Sequence, residues 1–217
     1  MKLYIISTFL VISNYVSYSQ PTTMELYKIV NVGTISIPTN MEIQSGNYKK
    51  ASDLFQTEQN KNLGYEIFDN RVVFQQIGLN NQEKQSFASY ARVILETNIS
   101  NYGDFEKLNV KISANMTELK ELNDLFRNQV QGSFSGSGLK MISWNGVSVI
   151  TVNGKSCIKT SYIRQLENRP FVIVNVYRFQ NNDRMHTLTL SYSQDDETTW
   201  KPLFLKILNS FRITNIR

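Results

Sequence analysis

The sequence predicts an α+β fold: an α/β/α sandwich with a central antiparallel meander sheet flanked by helices on both faces. Three features between Lys155 and Phe211 support this prediction. Short alternating strands are separated by turn residues. The strand at 171–179 is apolar on both of its faces, unlike a half-solvated antiparallel strand. An apolar stripe at helical spacing follows the last strand. The strand at 171–179 is therefore expected to be central, with helices on both sides.

The predicted meander begins at Leu139. Its turn signals are Trp144-Asn145-Gly146, Val152-Asn153-Gly154, Glu167-Asn168-Arg169 and Asn181-Asn182-Asp183. An Asn-Gly dipeptide between apolar runs is the strongest short signal for a hairpin. In the last hairpin, pairing Gln180 with Arg184 places Arg178 opposite His186. That register keeps apolar residues opposite one another in the remaining pairs, so it is the predicted register.

Two amphipathic helices are expected, one in the middle of the chain and one near its end. The first starts after Asn115, and Glu118 three residues later gives an Asn-led version of the capping box. Its apolar positions are Met116, Leu119, Leu122, Phe126 and Val130. The second helix has Asp195 or Asp196 as its expected N-cap, with Thr199 as a later alternative. Its apolar positions are Trp200, Leu203, Phe204, Ile207, Leu208 and Phe211.

The pattern of apolar and polar residues is less regular in the first half of the chain. Residues 27–38 predict a strand pair or one bent strand, ended by Pro38. A short helix is expected over 47–59, and strands are expected over 72–77 and 90–96. Residues 80–85 form a polar loop between those strands.

The N-terminal residues have the pattern of an export signal. Residues 1–19 combine one early lysine, an apolar run and small residues before Gln20, as in a secretory signal peptide. Residues 20–26 are expected to be a flexible leader, and 27–217 a single globular domain. The apolar run is too short to span a bilayer, and no later segment could do so. The predicted location is therefore the periplasm or the extracellular space.

Composition narrows the range of partners. The chain has 217 residues and a net charge of +5. Residues 155–217 contain ten basic and five acidic side chains, so the positive charge lies in the C-terminal block. The sequence has no Lys/Arg run of the kind that binds nucleic acid, so no nucleic-acid partner is expected. Cys157 is the sole cysteine, which excludes an internal disulfide, and its strand position predicts a buried thiol.

The residues that usually carry catalysis are sparse. A single histidine, His186, excludes His-His metal sites and most His-paired nucleophiles. The glycine-rich loop 132–138 lacks the Gly-Lys-Ser/Thr ending of a phosphate-binding loop. Asp195, Asp196 and Glu197 are the remaining acidic trio, and their place before a helix explains them without catalysis. We therefore predict no catalytic residue, no metal site and no cofactor.

Five side chains are candidates for binding: Arg164, Arg169, Arg178, Arg184 and His186. The arginines lie near strand ends, two at each end of the predicted sheet, where an anion or a partner could bind. Charge at a strand end also prevents edge-to-edge aggregation, so a solvated role is the alternative interpretation.

The order of these elements resembles the PsbP-like superfamily, which includes the photosystem II extrinsic subunit and a Ran-binding nuclear import factor. The resemblance spans roughly residues 27–213. It rests on Ile35-Ser36-Ile37-Pro38, the Val152-Asn153-Gly154 turn, Tyr177-Arg178-Phe179, Met185–Tyr192, Trp200-Lys201-Pro202 and Leu208-Asn209-Ser210-Phe211. The resemblance implies an α/β/α sandwich and a non-catalytic, partner-binding role. No binding motif of that group matches this chain, so no binding residue is carried over.

These observations predict an exported, non-enzymatic binding or accessory protein of the bacterial cell envelope. Its partner is expected to be another envelope protein, and the chain to be a monomer or weak oligomer. One alternative is a carrier of a small apolar ligand, held between the sheet and the helix containing Trp200. A second alternative is a hydrolase that uses the carboxylates of Asp195, Asp196 and Glu197.

Overall fold

The computed structural model of the protein describes residues 22–46, 49–50, 71–83 and 89–217. The strands are β1 (Met24–Ile29), β2 (Gly33–Pro38), β3 (Met41–Ile43), β4 (Val72–Gln76), β5 (Ala91–Ile99), β6 (Leu139–Val152), β7 (Lys155–Leu166), β8 (Val172–Asn181), β9 (Arg184–Ser193) and β10 (Arg212–Ile213). The long helices are α1 (Met116–Ser133) and α2 (Glu197–Ser210), and a 3₁₀ turn, Gln194–Asp196, precedes α2.

Seven strands form one antiparallel sheet in the order β3-β4-β5-β9-β8-β7-β6. The meander from β6 to β9 is confirmed. Asn153 and Gly154 make its first turn with φ of 50° and 77°, and Glu167 begins the second with φ of 50°. Strand β8 lies between β7 and β9, so it is an interior strand as predicted.

Alternate residues of β8 enter two separate apolar clusters. Tyr177 and Phe179 lie in a large cluster that includes the buried face of α2. Val172, Val174 and Val176 lie in a smaller cluster, against Val130 of α1 and neighbouring aromatic rings. Helices therefore cover both faces of the sheet. The predicted α+β class and sandwich architecture are confirmed, and the two apolar faces of β8 match the two covered faces of the sheet.

Helix α2 packs as its apolar stripe predicts. Its buried side chains are Trp200, Leu203, Phe204, Ile207 and Leu208. Asp196 occupies the N-cap position but makes no capping hydrogen bond, in contrast to the expectation for its carboxylate. Its Oδ2 instead accepts a hydrogen bond from Ser89 Oγ at 2.6 Å. The Trp200 indole donates to the same Ser89 Oγ at 3.2 Å, so this hydroxyl links the start of α2 to the segment before β5.

A second, three-stranded sheet joins distant parts of the chain in the order β1-β2-β10. Ile35 and Ile37 of β2 are buried in the large cluster. The Ser36 amide donates to Ser210 Oγ at 2.8 Å across 174 residues of sequence. Residues 27–38 are thus a strand pair rather than one bent strand. Because β1 begins at Met24, residues 24–26 belong to the fold, and the expected leader 20–26 was too long.

The β8–β9 hairpin has a register one residue away from the predicted one. Asn181 pairs with Arg184, and Phe179 rather than Arg178 lies opposite His186. A two-residue turn causes the difference, with Asn182 in the left-handed region at φ 65°. Asn181 is a strand residue, not a turn residue, because its buried amide Nδ2 donates to Asn215 O at 2.8 Å.

One further expectation needs correction. Trp144-Asn145-Gly146 is not a turn, because β6 continues through it with register shifts on both sides of Ser143-Trp144. Gly146 has φ of 94° and belongs to a bulge of the kind that glycine favours. The predicted signal segment 1–19 and most of the helix expected over 47–59 lie outside the described residues. Strands β4 and β5 are confirmed close to their predicted positions.

Candidate functional site

Helix α1 is held at its start by local hydrogen bonds. Asn115 Oδ1 accepts from the amides of Thr117 and Glu118 at 2.9 and 3.0 Å. The Glu118 carboxylate accepts from the Asn115 amide at 2.9 Å, which completes the predicted capping box. These bonds satisfy donors that a helix start otherwise leaves unpaired. They fix the residue at which α1 begins, and therefore where the helix starts to cross the sheet.

Asn115→Ala is expected to lower the free energy of unfolding by about 1 kcal/mol, because two helix amides lose their acceptor. Urea denaturation followed by circular dichroism measures this change, and hydrogen exchange should accelerate at Thr117 and Glu118. The exposed Asn168 in the β7–β8 turn is the matched control, for which Asn168→Ala should change stability by under ~0.5 kcal/mol. Equal effects of the two substitutions would contradict the assigned cap.

The sheet beneath α1 has an aromatic surface. The Trp144 ring stacks on Tyr162 across β6 and β7, with centroids 6.0 Å apart and planes at 18°. Trp144 Nε1 donates to Asn123 Oδ1 of α1 at 2.7 Å. Phe134, just after the helix, lies 6.1 Å from Tyr162. The bulge in β6 sets the position of Trp144. Its indole can therefore contact α1, although β6 is the outermost strand of the sheet.

Arginine side chains alternate with these rings. The Arg178 guanidinium carbon lies 4.1 Å from the Phe126 centroid of α1. Arg178 Nη1 also donates to Thr160 Oγ1 at 2.9 Å. On β7, Arg164 Nη2 donates to the Tyr90 hydroxyl at 2.9 Å, and its guanidinium lies 5.5 Å from the Tyr90 centroid. Such contacts combine cation–π attraction with desolvation of a planar cation.

Tyr90 lies among positive charges. The Arg92 guanidinium is also 5.5 Å from its ring centroid, and Ser191 Oγ lies 3.4 Å from its hydroxyl. Burial alone would raise the pKa of the Tyr90 phenol. Arg164 and Arg92, with the hydrogen bonds from Ser191 and Arg164, outweigh burial and lower that pKa. The two guanidinium groups therefore make the local potential at the phenol positive.

These side chains form one continuous feature, which we call the arginine–aromatic face. Its members are Tyr90, Arg92, Phe126, Trp144, Tyr162, Arg164 and Arg178. Two of the five predicted binding residues, Arg164 and Arg178, belong to it. The arrangement can bind planar or negatively charged groups, because it offers guanidinium donors backed by aromatic rings.

The other predicted binding residues lie elsewhere. Arg169 is exposed in the β7–β8 turn, where its carbonyl accepts from Gln165 Nε2 at 2.9 Å. Arg184 lies in the β8–β9 hairpin, with Nε 3.6 Å from Asp183 Oδ1. His186 is fully buried on the opposite face of the sheet, not at a rim beside Arg178. The register error in the hairpin explains that misplacement.

His186 belongs to a buried hydrogen-bond network. Arg217 N donates to Asn181 Oδ1 at 2.9 Å, which leaves Asn181 Nδ2 to donate to His186 Nε2 at 3.2 Å. The ring proton therefore lies on Nδ1, which is 2.9 Å from Thr97 Oγ1. Burial, reinforced by Arg184, lowers the pKa of His186 to about 4. The ring is neutral and both of its nitrogens are engaged within the protein.

The acidic trio does not converge. Asp195 is exposed, Asp196 is bound by Ser89, and Glu197 pairs with Lys201 at 2.7 Å along α2. Within the described ranges, no group of three His, Cys, Asp or Glu side chains is close enough to hold a metal ion. Cys157 is fully buried as predicted, and burial raises the pKa of its thiol to about 12.

A shallow pocket lies where the β6–β7 turn meets the end of α2. Its lining residues are Val152, Asn153, Lys155, Phe179, Phe211, Arg212 and Ile213. Trp200 is not among them, so this is not the place where a carried ligand was expected. Of the helices in the described residues, none has the length and apolar character needed to cross a membrane.

Comparison with solved structures identifies the architecture. The solution structure of cyanobacterial PsbP from Synechocystis sp. PCC 6803 superimposes with a TM-score of 0.50 and 13% identity, over 90% of this chain and 95% of that one. The fold is PsbP-like. A Pseudomonas aeruginosa protein of unknown function has 12% identity and a TM-score of 0.40, over 87% of this chain and 96% of that one. No protein family matches the chain by sequence, and neither does any curated protein.

Within this PsbP-like fold, the sequence indicated Arg164 and Arg178 of the face, but neither Arg92 nor the aromatic members. Tyr90 was assigned only as the start of a strand, and Trp144 as part of a turn. A sequence signal existed for the two tyrosines, because Tyr90 and Tyr162 each lie two residues before an arginine. Trp144 has no arginine near it in sequence, and its position opposite Tyr162 depends on the bulge in β6.

Proposed function

We propose that the protein is an exported, non-enzymatic accessory protein that binds another protein of the cell envelope. The binding surface in this proposal is the arginine–aromatic face together with the outer side of α1. The observation that carries the proposal is the incomplete burial of α1. An 18-residue helix packs on the sheet, yet none of its residues is fully buried.

Exposed residues of α1 offer apolar contact area. Leu125, on the side away from the sheet, is 51% exposed, and Met116, which was predicted to lie on the buried face, is 83% exposed at the first turn of the helix. Ile142 on the adjacent strand β6 is also exposed. Strand β6 ends the seven-stranded sheet, so its outer edge has no strand partner in the part of the chain that the structure describes. Exposed apolar side chains beside a free strand edge favour association with another chain.

The composition of the arginine–aromatic face supports the same proposal. Tryptophan, tyrosine and arginine are the residues most enriched at the energetic centres of protein interfaces. They supply large contact areas with few rotatable bonds, and arginine adds directional donors. Here one Trp, two Tyr and three Arg lie together beside α1.

The non-enzymatic part of the proposal rests on the use of the reactive side chains. His186 is bonded within a buried network, Asp196 accepts a hydrogen bond from Ser89, and Glu197 pairs with Lys201, so all three groups have partners within the protein. The PsbP-like group that the sequence resembles is mostly non-catalytic and binds partner proteins. Turnover of a substrate that disappears on Asp196→Asn would overturn this part of the proposal.

Leu125→Glu is expected to lower recovery of the partner about tenfold, which corresponds to ~1.4 kcal/mol of binding free energy. The tagged protein is incubated with envelope extract, and the partner is quantified by mass spectrometry against a tag-only sample. Leu205→Glu is the matched control, because Leu205 is 53% exposed on α2, on the other side of the sheet. Equal recovery with the two variants would contradict the proposed surface.

The location of the protein is part of the same proposal. The signal pattern of residues 1–19 supports export to the periplasm or beyond. Fractionation of cells expressing the full chain should recover a shortened protein outside the cytoplasm. Recovery of the full-length chain in the cytoplasm would contradict export.

A further inference from the structure

Arg164 lies within the arginine–aromatic face without an acidic partner. Its strand neighbours are Met141 of β6 and Val172 of β8, and its side chain is partly buried. One of its donors is used by the Tyr90 hydroxyl. No carboxylate of the described residues is within ion-pair distance of its guanidinium. Arginine carries five N–H donors, so the guanidinium of Arg164 keeps donors for a further acceptor beyond the Tyr90 hydroxyl.

The surroundings of Arg164 favour a negatively charged acceptor. Arg92 and Arg164 both contact the ring of Tyr90, so positive charge is concentrated on one aromatic side chain. The hydrogen bond to the Tyr90 hydroxyl and the contact with its ring restrict the guanidinium of Arg164, which lowers the entropy lost when it forms two parallel hydrogen bonds. The positive potential lowers the pKa of the Tyr90 phenol even against burial, as an anion-attracting site would.

We infer that Arg164, supported by Tyr90, recognises a carboxylate of the partner protein through two parallel hydrogen bonds. This inference rests on the proposed function and adds the chemistry of the partner: an acidic side chain or a free C-terminus. The carboxylate accepts hydrogen bonds from the N–H groups of Arg164 that are not bonded to Tyr90. Its negative charge offsets part of the positive charge around the Tyr90 phenol.

The test uses three four-residue peptides and NMR titration of the whole protein with labelled tyrosine rings. The peptides are acetyl-Asp-Glu-Asp-Glu-amide, acetyl-Asn-Gln-Asn-Gln-amide and the second sequence with a free C-terminus. Binding of a carboxylate should raise the pKa of the Tyr90 phenol, because it offsets the charge of Arg164. A rise in the Tyr90 pKa with the acidic peptide alone identifies an acidic side chain as the ligand. A rise with the peptide that has a free C-terminus identifies a terminal carboxylate. Equal response to all three peptides, or none, would overturn the inference.

Arg164→Gln should abolish the Tyr90 response, and Arg164→Lys should weaken binding about tenfold, because lysine lacks the planar fork. Arg169→Gln is the matched control: it removes one positive charge from the same hairpin but leaves Tyr90 untouched. Equal binding by Arg164→Gln and Arg169→Gln would also overturn the inference.

Partner capture separates this inference from the proposed function. If Leu125→Glu prevents partner capture and Arg164→Gln does not, the proposed binding surface is supported and the inferred recognition of a carboxylate by Arg164 is wrong. If Leu125→Glu leaves capture unchanged, the proposed surface itself is wrong, whatever the peptides show.

Discussion

Acidification from pH 6.5 to pH 4 is expected to lower the free energy of unfolding by about 3 kcal/mol through His186 alone. The folded ring takes up its proton only near pH 4, whereas an unfolded histidine does so near pH 6.5. Between these values the unfolded state binds more protons, so stability rises with pH. The contribution is complete above pH 6.5 and is lost as the pH falls toward 4.

The physical cause is the hydrogen-bond network on the large-cluster side of the sheet. A protonated ring cannot accept the hydrogen bond that Asn181 Nδ2 donates to Nε2. A buried cation would also be desolvated beside Arg184, and the nearby Asp183 only partly offsets this. Protonation therefore favours unfolding of the hairpin around β8 and β9.

Urea denaturation between pH 4 and 7.5 measures the effect, with His186→Gln as the comparison. Because His186 is the sole histidine, the variant has no imidazole left to titrate. Carboxylates titrate in both proteins, so the difference between the two stability curves isolates the histidine. Parallel curves, or an NMR titration of the folded ring near pH 6.5, would show that the ring is not held neutral by burial.

Gly33→Ala is expected to lower the free energy of unfolding by about 3 kcal/mol, at the upper end of the range for overpacking. A Cβ at this position would overlap Arg212 O and lie 2.9 Å from Thr214 N. Both atoms belong to the backbone of the segment that pairs with β2, so no side-chain rotation relieves the contact. The substitution should separate β10 from β2 and expose Phe211, which is buried in the large cluster.

Thermal unfolding measures the loss, and hydrogen exchange should accelerate at Thr214, whose amide donates to Val32 O at 3.0 Å. Gly103→Ala is the matched control, since Gly103 has φ of 89° and a Cβ added there would meet open space. It should cost ~1 kcal/mol through backbone strain alone. If Gly33→Ala were no more destabilising than Gly103→Ala, the close approach of β10 would be wrong.

The elements that the sequence predicted well depend on neighbouring residues. The β6–β7 turn follows from Asn153-Gly154, and the buried face of α2 follows from helical periodicity. The wrong predictions arise where residues distant in sequence determine the local structure. Asn181 extends β8 because Asn215 accepts its amide proton, and that contact spans 34 residues. A pattern read along the chain does not contain this information.

Of the candidate site, only two of the charged residues could be predicted from the sequence. Arg164 and Arg178 were identified from their positions near strand ends. Their aromatic partners come from other elements: Tyr90 precedes β5, and Phe126 lies on α1. Which ring meets which guanidinium depends on strand order and on how α1 packs on the sheet, and neither follows from composition or period.

The three-stranded sheet has a consequence for the order of folding. The β6–β9 meander joins strands that are adjacent in sequence, so it can assemble while other segments are still unfolded. The pairing of β2 with β10 joins residues about 180 positions apart, and closing so large a loop is slow. Until β10 arrives, Ile35 and Ile37 lack part of their cover. The first hairpin, β1–β2, is therefore expected to reach its final packing late in folding, after the meander has formed.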